Sequence, residues 1–182
     1  MGSIRKRSAK AAFCGVMTAL GVTFMALGGL IPLATYVAPM LAGVLLVPVY
    51  LEYGRKTAWL MYVATALVSA MLSADKEGVF FYIFVGNYPV LKARFDKIRP
   101  RVVRAAAKAG YFALAIGAMY ALLYFVLKLD AIVQEFQEAA LAVNAVFYVL
   151  FSASMLLYDV LLARFAVYYA RVLRPKLRLP GK

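Results

Sequence analysis

Asp159 is the acidic residue set deepest in an apolar stretch of this 182-residue chain. Counting back from Arg164, it lies roughly 7 Å into a helix that rises ~1.5 Å per residue. A lone carboxylate at that depth of a membrane costs several kcal/mol or stays protonated. Its own helix offers only Leu162 and Ala163 at i+3 and i+4, while Arg164 points more than a quarter-turn away. The expected partner is a cation on another helix, Lys92 or Arg94. An interhelical ion pair and a proton or ion relay are the two uses of such a residue.

A second constellation is polar and aromatic. Asn87 and Tyr88, with Tyr82, Tyr120, Tyr124, Asn144 and Tyr148, fall in the outer halves of apolar segments. Together they could wall a small-molecule pocket, and Asp75, Lys76 and Glu77 could close over its mouth. The competing reading makes the tyrosines interfacial anchors and has each Asn bonding backbone. Two further patterns concern partners. Ala11, Gly15 and Ala19, four residues apart, form a flat stripe that lets another helix approach closely. Arg101, Arg104 and Lys108 share a helix face at i, i+3 and i+7, either as a solvated or lipid-facing surface or as a docking face for an acidic partner.

Catalysis finds little support. There is no histidine, and Cys14 is the single cysteine. A disulfide framework within the chain and the usual metal-ligand clusters are therefore absent, and no metal or cofactor is expected. No GxxxxGK[ST] loop occurs, so the chain carries no nucleotide-binding signature of that kind.

The elements that must position these residues are membrane helices. Hydrophobic residues make up 65% of the chain and the mean hydropathy is +0.82, too apolar for an ordinary soluble domain. Of the 21 Lys and Arg residues, all but Lys76 and Lys128 fall in four clusters: Arg5 to Lys10, Arg55 and Lys56, Lys92 to Lys108, and Arg164 to Lys182. Long apolar stretches separate them. Because insertion retains cations on the cytoplasmic side, the pattern reads as an all-α membrane bundle of six crossings with both termini inside. The expected helices are 9–30, 37–51, 57–72, 79–93, 102–128 and 139–169, in a single transmembrane domain covering 1–182. A basic cytoplasmic tail follows at 171–182. The second helix, short and carrying Pro39 and Pro48, must kink, thin the bilayer or sit behind its neighbours, and Gly86-Asn87-Tyr88-Pro89 should break the fourth. The formal charge of +13 favours anionic lipid over nucleic acid, since no single basic face would form.

With its basic N-terminus, six expected helices and the Ala11, Gly15, Ala19 stripe, the chain resembles the substrate-binding S components of energy-coupling factor transporters. The resemblance implies capture of a vitamin or other trace nutrient at the outer side. It also implies docking, through that stripe, on a transmembrane T component driven by ATPase subunits. Gly15 departs from the alanine usual at the middle of such a stripe. The expected setting is the cytoplasmic membrane of a prokaryote. The alternative is a non-transport scaffold resembling the MreD rod-shape family, with a basic inner surface that recruits cytoplasmic proteins or anionic lipid. An intramembrane enzyme acting on lipid is a third class without sequence support.

Overall fold

Proline and glycine decide where the helices break. The structure, a computed structural model, describes residues 2–30, 34–123 and 141–177. Helix α1 spans Gly2–Gly28, α2 Ala34–Val44, α3 Leu46–Leu72, α4 Lys76–Val85, α5 Tyr88–Phe95, α6 Arg101–Ala121 and α7 Leu141–Tyr168. A π-helical turn at Tyr169–Leu173 and a short α8 at Arg174–Leu177 continue the last helix. No strand occurs among the described residues.

Pro48 lacks the N–H that would bond the Val44 carbonyl, and the helix gives way there: α2 and α3 meet at a 50° bend. Pro39 is accommodated inside α2. The second break is at Gly54, within α3, where φ is +79° and the chain turns sharply. Only glycine adopts that conformation without strain. It falls in the connection expected between the second and third segments.

Three helical stretches are long and apolar enough to cross a bilayer: Arg7–Gly28, Arg101–Ala121 and Tyr148–Lys176. The bent α2–α3 pair makes a fourth if counted as one span. Six were expected. The difference has two local causes: the second and third segments form one bent α2–α3 pair, and Gly86-Asn87 divides the fourth segment into helices of 10 and 8 residues. At ~1.5 Å per residue neither reaches across a ~30 Å core. Other boundaries shift as well. Helix α1 begins at Gly2 rather than residue 9, α4 at Lys76 rather than 79, and the basic tail is helical as far as Leu177. Lys128, the outer connection 129–138 and residues 178–182 lie outside the described residues.

The chain forms two compact units: Met1–Ala93 with Leu161–Lys182, and Arg94–Val160. In the first, α1 packs on α2 and α3, and α2 packs on α4. Its core holds Met25, Ala42, Leu46, Val49, Met61 and Tyr82. In the second, α6 buries Lys108, Phe112, Ala115, Ile116 and Met119, an i, i+4, i+7, i+8, i+11 stripe. Met155 and Tyr158 of α7 are also buried.

Candidate functional site

The second unit buries an ammonium between two carboxylates, and the first combines one ion pair on a largely enclosed carboxylate with several unpartnered hydroxyls among the described residues. In the second unit, the buried stripe of α6 starts with an ammonium. Lys108 donates to Asp96 Oδ1 at 2.6 Å and to Asp159 Oδ2 at 2.8 Å. Its side chain is only 7% exposed, against 16% for Asp159 and 43% for Asp96. Asp96 follows the end of α5, and Asp159 stands next to buried Tyr158 on α7. Charge-assisted bonds this short offset the several kcal/mol of desolvation that each buried ion suffers. Lys108 thus bridges a partly exposed carboxylate, Asp96, and an enclosed one, Asp159.

Asp159 is therefore held by a cation from another helix, Lys108, a residue that the sequence pattern places on a basic face rather than beside Lys92 and Arg94 as a partner. Lys108 accordingly leaves the basic face it was assigned with Arg101 and Arg104. Arg101 is exposed, Arg104 half-buried and Lys108 buried. The three do share one side of α6, but its first turn stands clear of the packed region and its third does not. Extending the apolar stripe of Phe112, Ala115 and Met119 back by one turn leads to Lys108, and that signal could have identified it. Asp96 was missed because it sits in a run of basic residues whose composition suggests only solvated surface.

The other candidates in this unit are anchored to backbone or lie beyond description. Tyr148 donates its hydroxyl to the Ala113 carbonyl, which ties α7 to α6. Tyr120 is half-buried on α6. Tyr124 and the Asn144 side chain lie outside the described residues.

In the first unit, the residues expected to form a lid are fixed instead. Asp75 caps α4 by accepting from the Gly78 N–H at 2.9 Å. Lys76 donates to the carbonyls of Ala70 at 3.0 Å and Ser73 at 3.1 Å, closing the C-terminus of α3. Glu77 accepts from the Tyr36 hydroxyl at 2.6 Å. Each residue of the triplet has a structural task.

Beneath them, Tyr82 and Tyr88 are fully buried. Asn87, at the break between α4 and α5, is half-buried beside Tyr62, whose hydroxyl donates to the Ile83 carbonyl. Tyr82 directs its hydroxyl at Thr65, near enough for the two to interact, yet among the described residues neither oxygen has a hydrogen-bond partner of good geometry. Ser69, one turn along α3 from Thr65, is buried with its hydroxyl equally unpartnered. Thr65 also lies against α1, 3.2 Å from where a Cβ on Gly21 would stand. Each buried hydroxyl left unmatched costs about 1–3 kcal/mol. Thr65 and Ser69 were not singled out in the sequence, although two hydroxyls at i, i+4 on an apolar helix are a readable signal.

At the opposite end of this unit, Glu52 accepts from Arg174 Nε at 2.9 Å, with the Tyr169 hydroxyl 3.5 Å away. Glu52 is 8% exposed at its side chain. The contact fastens the end of the last helix beside the Gly54 turn. Ala11, Gly15 and Ala19 are all exposed on α1, and nothing stands within 4 Å of a Cβ placed on Gly15.

Among the described residues, no group of three or more Cys, Asp or Glu side chains could hold a metal ion. No protein-family model, curated protein or solved structure matches the chain.

Proposed function

We propose that the chain is a small-solute capture subunit of a membrane uptake transporter, energised by partner subunits. The observation that carries this reading is the set of buried hydroxyls on Thr65, Ser69 and Tyr82, three of the four that have no hydrogen-bond partner among the described residues, the fourth being Tyr53. An interior shielded from water has no reason to keep three unmatched donors unless something else completes them. A polar solute held there would gain hydrogen bonds the empty protein lacks. The break at Gly86-Asn87 supports the same reading, because interrupted membrane helices often mark binding positions in transporters.

In this reading the chain is a multi-pass protein of a prokaryotic cytoplasmic membrane, with six crossings and its basic clusters on the cytoplasmic side. The exposed Ala11, Gly15, Ala19 stripe receives a transmembrane partner of the T-component kind. ATPase subunits supply the energy, since the chain has no phosphate-binding loop of its own.

Native mass spectrometry of the protein released from detergent tests the proposal. A retained small molecule is expected, and it should be lost from Tyr82→Phe and from Thr65→Val. Both variants should fold at least as well as the parent, because each removes an unmatched hydroxyl. Absence of any small molecule across several growth media, with co-purification of envelope-assembly proteins, would replace capture with the scaffold reading.

A further inference from the structure

We propose that the groove at Arg164, Tyr168 and Arg171 binds the phosphodiester headgroup of an anionic phospholipid. The groove has a volume of about 510 Å³ and is open along one side, lined by Ala163, Arg164, Val167, Tyr168, Arg171 and Val172. No acid lines it. Arg164 and Arg171 have no hydrogen bond or ion pair among the described residues, whereas Arg174 nearby in sequence is taken by Glu52. Two exposed guanidinium groups thus stand two turns apart, about 10 Å along the axis, with no counterion among the described residues.

Position along the helix identifies the occupant. The candidate span Tyr148–Lys176 has 29 residues, or about 43 Å at 1.5 Å per residue, well over a ~30 Å hydrocarbon core. The apolar run ends at Ala163, so Arg164 marks the level where hydrocarbon gives way to headgroups. Guanidinium forks match phosphate oxygens in a bidentate manner. Tyr168, 53% exposed, presents a ring and hydroxyl of the kind that settles at that interface. Ala163, Val167 and Val172 add an apolar flank that a free phosphate ion would leave unused and an acyl chain would cover. Lipid satisfies both halves of the groove.

The test uses the full chain in nanodiscs of phosphatidylcholine with a minor fraction of phosphatidylglycerol. Lipids retained on release are counted by native mass spectrometry. The Arg164→Gln, Arg171→Gln pair is expected to retain phosphatidylglycerol about 25-fold less, roughly five-fold for each cation removed. The control pair Arg55→Gln, Lys56→Gln removes two exposed cations elsewhere and should change retention little. An Arg164→Lys, Arg171→Lys pair keeps the charge and loses the fork, so an intermediate loss is expected. Equal losses in the groove and control pairs would show diffuse attraction and overturn the site. Unchanged retention in both groove pairs would do the same. Displacement of the lipid by millimolar inorganic phosphate would make this an anion site with no claim on lipid.

Discussion

The interiors of the two units treat polar groups differently. In Arg94–Val160 the buried ammonium of Lys108 is matched by two carboxylates. In the unit that contains α1 to α4, the hydroxyls of Thr65, Ser69 and Tyr82 are buried without partners. The contrast follows from magnitude. A charge left unmatched in a low-dielectric interior costs several kcal/mol, a large share of a domain's stability. An unmatched hydroxyl costs about 1–3 kcal/mol, which a packed core can absorb. Matched charge is accordingly a strong demand of the fold, while matched hydroxyls are a weaker one.

The strongest way to break this comparison is Lys108→Met. It leaves Asp96 and Asp159 sharing a site without their ammonium, and about 3–5 kcal/mol of stability should be lost. Thermal unfolding in detergent reads the loss, and adding Asp96→Asn and Asp159→Asn should recover most of it. A Lys108→Met single variant as stable as the parent would remove the distinction between the units. Asp159→Asn then sharpens the role of the cluster. Reduced stability fits a structural pair, whereas full stability with uptake abolished fits a proton relay.

A smaller effect is expected at Gly28, where an added Cβ would overlap the Ala38 methyl. Gly28→Ala should cost about 1–3 kcal/mol through overpacking. The first unit thus tolerates unmatched hydroxyls but not extra volume. Tyr82→Phe should raise the stability of the ligand-free protein by about 1 kcal/mol while small-molecule retention falls. A fall in stability would mean that the hydroxyl already has a partner. The smallest effect belongs to Gly15→Ala, expected within ~0.5 kcal/mol of the parent because the new methyl meets open space. Gly15→Leu should leave folding equally untouched and abolish capture of a transmembrane partner by co-purification.

Much of this was legible in the sequence where a residue acts through its own backbone. Pro48 and Gly86-Asn87 break helices because of what they lack or how they turn, and no neighbour is needed to see it. The depth of Asp159 was equally readable by counting from Arg164. Its partner was not, because Lys108 is separated from it by 51 positions and meets it only through the rotation of α6. The same limit applies to Asp75, Lys76 and Glu77. Their charge and exposed position suggested a lid, but capping depends on the ends of α3 and α4 falling close together. Thr65 and Ser69 were passed over because a hydroxyl on a membrane helix usually bonds its own preceding turn, and only the packed structure shows that these do not.

The π-turn at Tyr169–Leu173 sets the phase of everything after it. One additional residue in a helical turn rotates the following positions by about 100° relative to an unbroken α-helix. Arg174 meets Glu52 with that offset in place. Rewinding the turn as α-helix at unchanged length would swing the arginine around the axis, away from its carboxylate. Deleting Ala170 would instead restore regular winding and keep it facing Glu52. The extra residue is thus accommodated without costing the last helix its fastening beside Gly54.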